Sequence, residues 1–256
     1  MPEMPLLAVV LPAYNEEGTI TETIERVFAG IDRLKLDAIV VAVDDGSRDR
    51  TGALLDVMRE HFGARLLVVH NVTNLGYGGA LRAGFERALQ ARADAIFYMD
   101  SDGQFDILEL ARLLPLLGRF DAAFGYRAHR QDRWVRRFNG WAWSALISLV
   151  FGVRVRDVDC AFKLIRADFI EAANLSAGGA MISAELVARL HQAGLRFRQV
   201  AVSHYPRRSG TPTGGSLRVV LRAFNELFIL ARRVRASTPV RLSGSAPSFD
   251  LLTAAS

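Results

Sequence analysis

The sequence predicts an α/β fold: a mostly parallel, Rossmann-like sheet flanked by helices, followed by a C-terminal amphipathic helix. Three observations carry this expectation. Short β-branched runs alternate with helix-patterned stretches through the first half of the chain. Strongly polar clusters stand directly after several of those runs, where open α/β sheets place their ligands. Half of the 256 residues are hydrophobic and 23% are charged, the balance of a chain that buries its own core.

The elements follow in order. "LLAVVLP" (6–12) reads as the first strand, because its unbroken apolar run suits a strand covered on both faces. "NEEGTITETIERVFAG" (15–30) carries the first helical pattern, "AIVVAVDD" (38–45) the second strand and "SRDRTGALLDVMREHF" (47–62) the second helix. "ARLLVVH" (64–70) leads into "NLGYGGALRAGFERALQARA" (74–93), and "AIFYMD" (95–100) is the fourth strand. A fifth strand ends in "FGYRAHR" (124–130).

Beyond it the pattern is less regular. "RRFNGWAWSALISLVFG" (136–152) is apolar and aromatic but shorter than the ~20 residues that span a bilayer. "VRVRDVDCAFKLIRADF" (153–169) receives no element. A helix is expected near "SAELVARLHQAG" (183–194), a strand near "RFRQVAVSHYP" (196–206), and a loop at "RRSGTPTGG" (207–215). "SLRVVLRAFNELFILARRVRA" (216–236) places Leu217, Val220, Leu221, Phe224, Leu227, Phe228 and Val234 on one helical face and Arg218, Arg222, Asn225 and Arg232 on another. Residues 1–235 are expected to form a single domain. Residues 236–256, rich in Ser, Pro and Ala, are expected to be a disordered tail.

Composition excludes some classes. A single cysteine, Cys160, offers no internal disulfide and no structural zinc cluster, which fits a reducing compartment. The N-terminal segment lacks the basic region of a signal peptide, and its apolar run stops at Pro12, so a cytoplasmic protein is expected. The net charge of +5 comes almost wholly from arginine, with lysine only at Lys35 and Lys163. Arginine forks suit phosphate oxygens and anionic head groups. An arginine-rich RNA-binding module is the remote alternative. It is disfavoured because Tyr14, Phe97 and Tyr98 flank acidic turns that would repel a phosphate backbone, and no nucleic-acid partner is expected.

In "MDSDGQ" (99–104), alternate residues leaving a strand end direct Asp100, Asp102 and Gln104 toward one point, and such hard oxygen ligands suit Mg²⁺ or Mn²⁺. The same residues also read as a solvated acidic turn capping a helix that starts near Ile107. "NLGYGGALRAGF" fails the dinucleotide fingerprint, because Leu81 stands where the third glycine belongs. Tight backbone packing is the expected role of its glycines.

"VVLPAYNEEGTI", "VAVDDGSRDRT", "NLGYGGALRAGF" and "MDSDGQ" occur together and in order. The combination resembles the family 2 glycosyltransferases of the GT-A fold, and within them the dolichol-phosphate mannose synthase and polyprenyl-phosphate glycosyltransferase branch, over 6–235. The resemblance implies that Pro12, Ala13, Tyr14 and Glu16 hold the nucleotide's base and ribose. It also implies that Asp44 and Asp45 make a second nucleotide contact, and that Asp100, Asp102 and Gln104 bind the metal and the donor diphosphate. Asp157 in "VRDVDCAFKLIR" matches the family's catalytic-region aspartate, with Asp159 an additional acid beside it. An ion pair of Asp157 with Arg154 or Arg156 is the structural alternative. Arg207, and Arg127 as a second candidate, match arginines that clamp the donor diphosphate or the acceptor phosphate, with Arg208 and Lys163 as weaker supplements. The chain departs from relatives at Pro212 and Thr213, where serine and lysine are frequent.

The implied activity is inverting transfer of a sugar, mannose favoured, from a nucleotide-diphosphate sugar to a polyprenyl phosphate. GDP-mannose is the favoured donor and a UDP-sugar the other. The same fold transferring sugar to a glycan or small-molecule hydroxyl is the alternative. A lipid acceptor implies a peripheral enzyme at the inner face of the membrane, reaching it through 134–151 or 216–235. No role is assigned to His129 or His204.

Overall fold

The computed structural model describes residues 5–128, 134–206, 217–242, 244, 247 and 249; for 134–138 and 217–224 the description is of the helical backbone. Seven strands form one sheet: β1 (Leu7–Ala13), β2 (Ala38–Asp44), β3 (Leu66–His70), β4 (Ala95–Met99), β5 (Ala122–Arg127), β6 (Phe162–Arg166) and β7 (Phe197–Val202). Their spatial order is β3-β2-β1-β4-β6-β5-β7. The first four strands and the β5–β7 pair are parallel, and β6 runs antiparallel to β4 and to β5.

Seven α-helices are described: α1 (Ile20–Arg33), α2 (Thr51–Phe62), α3 (Gly76–Gln90), α4 (Trp134–Phe151), α5 (Ala167–Ala173), α6 (Met181–Gln192) and α7 (Leu217–Ala236). Helix α1 shows why these segments coil. Ile20, Ile24, Val27, Phe28 and Ile31 recur at helical spacing and are buried in the hydrophobic core. Helix α3 approaches more closely, because a Cβ on Gly84 would lie 2.4 Å from Val10 Cγ1 on β1. Gly78 and Gly84 serve tight packing, as the sequence predicts, whereas Gly76 has open space around it and takes a positive φ of 73° at the start of α3.

The mostly parallel sheet and the first five strands match expectation. The antiparallel β6 does not, since 153–169 carried no expected element. Lys163 breaks the apolar run of β6 on paper, yet its side chain is fully buried in the structure. Its ammonium donates to the carbonyls of Val158, at 3.0 Å, and Cys160, and it lies over the rings of Tyr98 and Phe124.

Helix α7 also differs in detail. Leu227 and Val234 are buried as expected, together with Leu230 and Ala231, but Phe228 is 62% exposed. The buried stripe lies one step round the helix from the face assigned. Within 236–256, Phe249 is buried, and the carbonyl of Gly244 accepts a hydrogen bond from Arg166.

The register fixes where the loops emerge. Ala13, Asp44 and His70, the last residues of three adjacent parallel strands, stand side by side. The loops that follow them therefore start from one edge of the sheet, and β4 delivers Asp100 to the same edge.

Candidate functional site

The loops after β1 and β2 are laced together by their own polar groups. Asn15 adopts a positive φ of 55°, which turns the chain sharply. Its amide donates to Ser47 Oγ at 3.0 Å, and its side-chain oxygen accepts from the Arg48 amide at 2.8 Å. The Glu16 amide donates to Thr51 Oγ1 at 2.8 Å, and the Glu16 carboxylate accepts from Thr19 Oγ1 at 3.0 Å. Asp49 caps the start of α2 by accepting from the amide and hydroxyl of Thr51. Burial would raise its pKa, but these bonds hold it below the ordinary value. Pro12 and Ala13 lie in the buried end of β1, and the ring of Tyr14 opens to solvent at the mouth of the cradle.

Asp44 and Asp45 are both buried here. Asp44 Oδ1 accepts from the Ser47 amide at 3.0 Å, and its Oδ2 lies 3.2 Å from His70 Nδ1. His70 Nε2 in turn reaches Asp56 on α2. Asp45 Oδ1 accepts from Asn71 Nδ2 and from the Leu75 amide, which ties the third loop to the second.

At the end of β4, Ser101 is buried and donates to the carbonyl of Pro12 at 2.7 Å, locking the acidic turn to β1. Asp102 is buried and accepts from the Gln104 amide at 3.1 Å, while Asp100 is half-buried. Asp106 accepts from Leu108, so helix capping falls to this third acid of the turn. Gly103, at φ 74°, lets the chain fold back so closely. The Gln104 side chain donates to the carbonyl of Tyr205 at 2.8 Å, and the Tyr205 amide answers to the Gln104 carbonyl. Gln104 thus joins the acidic turn to the segment after β7.

Tyr77, at the start of α3, is hydrogen-bonded to Asp100. Burial first, and the Asp100 charge second, push its phenol well above the usual range, so it remains a donor. Among the described residues no group of three or more His, Cys, Asp or Glu gathers into a metal cage. Asp100 and Asp102 offer hard oxygen donors of the kind Mg²⁺ and Mn²⁺ take, and a cation held there would draw its remaining ligands from a diphosphate and water.

A second cluster assembles around β5 and β6. Arg127 holds Asp157 in a fork, with Nε–Oδ2 and Nη2–Oδ1 both at 2.7 Å and the Arg127 amide adding a bond at 3.2 Å. Neither Arg154 nor Arg156 is the partner that the sequence offered. Burial opposes the Arg127 charge, but the Asp157 carboxylate outweighs it and holds the guanidinium protonated. The pair borders a cavity of about 170 Å³ lined also by Tyr126, Trp141 and Arg156. Arg156 stacks over Tyr126. Beside the pair, Asp159 is bonded to the Trp143 indole, and burial and then Asp157 push its pKa up.

The structure thus brings Arg127 and Asp157 together, and gathers Pro12, Ala13, Tyr14, Glu16, Asp44, Asp45, Asp100, Asp102 and Gln104 along one sheet edge. Arg207, with Arg208, Pro212 and Thr213, lies outside the described residues. Sequence reasoning missed His70, Tyr77 and Trp143. His70 closes a strand pattern directly opposite Asp44, which was a usable signal; Tyr77 and Trp143 meet their partners only through the fold.

The glycosyl transferase family 2 sequence pattern matches residues 8–190. The undecaprenyl-phosphate 4-deoxy-4-formamido-L-arabinose transferase of Pseudomonas aeruginosa (strain LESB58) is 34% identical over 168 residues, 65% of this chain and 49% of that protein. The dodecaprenyl-phosphate galacturonate synthase of Rhizobium johnstonii is 30% identical over 237 residues, 90% of this chain and 68% of that protein. The chain spans about half the length of curated relatives such as the arabinose transferase. Among solved structures, glucosyl-3-phosphoglycerate synthase from Mycobacterium tuberculosis in complex with uridine-diphosphate superposes with a TM-score of 0.63 at 20% identity, over 95% of this chain and 90% of that one. That likeness shows the fold, a GT-A arrangement. With the pattern covering most of the sheet and both clusters, the chain belongs to glycosyl transferase family 2.

Proposed function

We propose that the protein transfers a sugar from a nucleotide-diphosphate sugar to a polyprenyl phosphate, with inversion at the anomeric carbon. One observation carries the choice of acceptor. Both Asp157 oxygens are engaged by Arg127, and a carboxylate chelated in this way is a weak base. A hydroxyl acceptor needs a base to remove its proton, whereas a phosphate monoester is already an anion near neutral pH. The relatives named for undecaprenyl-phosphate and dodecaprenyl-phosphate products support the same choice.

In this reading the laced loops of Tyr14, Glu16, Asp44 and Asp45 hold the nucleotide. Asp100 and Asp102 would hold Mg²⁺ or Mn²⁺, whose charge would stabilise a nucleoside diphosphate leaving group. Arg127 and Arg156 face the acceptor phosphate across the small cavity, where forked donors suit phosphate oxygens. An acceptor phosphate oxygen forms the new bond to the anomeric carbon as the bond to the donor diphosphate breaks on the opposite face. Arg207 completes the clamp on one of the two phosphate groups.

The enzyme works at the cytoplasmic face of a membrane, as a peripheral protein. Among the described residues no helix is long and apolar enough to cross one. Trp141 and Leu149 of α4, 63% and 81% exposed, and Phe228 and Ile229 of α7 are the side chains that would enter the interface.

The test offers labelled GDP-mannose and a set of UDP-sugars, with polyprenyl phosphate and Mn²⁺ or Mg²⁺, and follows label into the organic phase. GDP-mannose is favoured by the motifs. UDP-glucose is the donor named with one structural neighbour, and the relatives' arabinose and galacturonate names extend the panel. Label in the lipid from one donor supports the reading and names the sugar. Transfer only to a glycan hydroxyl would overturn it.

A further inference from the structure

Residues 153–160, between α4 and β6, form no helix or strand, yet they carry Arg156 and Asp157 to the rim of the small cavity. Side chains from the surrounding elements fasten this segment. From α4, Ser148 Oγ accepts from the Val155 amide at 3.3 Å and Ser144 Oγ from the Val158 amide at 3.2 Å. From β6, Lys163 donates to the carbonyls of Val158 and Cys160. From β7, at one end of the strand order, Gln199 Nε2 donates to the Arg154 carbonyl at 3.1 Å, and its Oε1 accepts from the Arg156 amide at 2.7 Å.

The Gln199 carboxamide is the tie that bears on Arg156. One donor and one acceptor on the same planar group grip the residues on either side of Val155, as a neighbouring strand's backbone would. This fixes the chain at the point where the Arg156 side chain leaves it. The guanidinium is placed separately, stacked 4.7 Å from the centroid of the Tyr126 ring. Among the described residues no carboxylate makes an ion pair with Arg156, and its side chain is exposed at the cavity. A cation held at both ends and presented in this way is set for an anion before the anion arrives.

We propose that Gln199 is a positioning residue for the acceptor, acting through Arg156 by holding that arginine's backbone where the guanidinium meets the acceptor's anionic group. The inference rests on the reading of the acceptor as a phosphate monoester. A side chain ordered beforehand loses less freedom on binding, and the gain is affinity. Loss of the Gln199 tie therefore weakens anion binding only while Arg156 is present. In turnover it raises the KM for the lipid and leaves kcat in place.

The test is a double-mutant cycle read with citronellyl phosphate, a short prenyl monophosphate, titrated calorimetrically into the whole protein at one pH. Gln199→Met keeps the bulk of the side chain and removes both bonds. It should weaken binding by about three- to tenfold in the wild-type background and change nothing in the Arg156→Met background. The kcat/KM for polyprenyl phosphate in the labelling assay reads the same cycle where Arg156→Met binds the probe too weakly to titrate. If Gln199→Met does not fold, Gln199→Thr, with a β-branched side chain suited to a strand, takes its place. A merely structural glutamine would cost the same in both backgrounds, and that result overturns the inference. So does wild-type affinity in Gln199→Met, or in Arg156→Met. If the wild type labels lipid in any of those cases, the acceptor reading stands; if it neither binds the probe nor labels lipid, both fall.

Discussion

Arg127 and Asp157, thirty residues apart in the chain, close a two-bond fork at 2.7 Å on the rim of the small cavity that Tyr126, Trp141 and Arg156 also line. Both side chains are largely buried, at 14% and 10% exposure. Removing Asp157 takes both fork bonds from the buried Arg127 guanidinium, which costs about 3 kcal/mol or more. Asp157→Ala should therefore lower the urea midpoint markedly, whereas Arg127→Lys, which keeps the charge but not the fork, should hold most of the stability and lose most of the transfer. Equal stability of Asp157→Ala and the wild type would show that the fork is not the anchor of this segment.

Asp102 predicts the opposite split. It accepts from the Gln104 amide within one turn, a local bond worth about 1 kcal/mol, so the larger effect of Asp102→Ala should fall on turnover. Stabilisation of a leaving diphosphate by a bound cation is worth several kcal/mol, which converts to at least a ~100-fold loss of Mn²⁺-dependent turnover. Circular dichroism and the labelling assay read the two effects separately. An active Asp102→Ala enzyme would remove this turn from the catalytic account.

Much of the cradle was legible in the sequence, because strand ends and turn chemistry are local. "PAYNEE", "DDGS" and "MDSDGQ" announce themselves as polar clusters after apolar runs, and the register of β1, β2 and β3 then has to bring them together. What escaped was non-local. The β6 strand hides a charged lysine whose compensation comes from carbonyls and rings that only the folded chain supplies. The described fork on Asp157 comes from Arg127 at the end of β5, beyond the neighbouring arginines that spacing favoured. The buried face of α7 was displaced by one step because the sequence does not say against which neighbour it packs.

Gly52 leads to a prediction about the donor side. A Cβ there would lie 2.6 Å from Asp44 Oδ2 and 3.5 Å from His70 Cε1, so the missing side chain leaves room for the Asp44–His70 contact. Gly52→Ala should push Asp44 away from Ser47 and loosen the nucleotide loop, costing about 1–3 kcal/mol as overpacking does. The KM for the nucleotide sugar should rise severalfold while kcat holds. His70→Ala should raise the same KM with a smaller loss of stability, because its ring is partly exposed. A Gly52→Ala enzyme with wild-type KM would free this loop of any part in donor binding.

Asp159 gives a stability prediction that needs no substrate. Its folded pKa lies above the ordinary 3.8 because burial and Asp157 disfavour the charge. The stabilising share of the protonated carboxyl is therefore complete below about pH 3.8 and is lost as pH rises through the raised folded value. Above that value an ionised carboxylate with an unpartnered oxygen burdens the native state. Asp159→Asn carries no titrating group, so its stability relative to the wild type should climb by about 1 kcal/mol per unit of raised pKa between pH 4 and pH 8. Urea midpoints across that range measure the difference. A constant gap between the two proteins would mean that Asp159 titrates in the folded chain as it does in water, and that its buried oxygen is solvated after all.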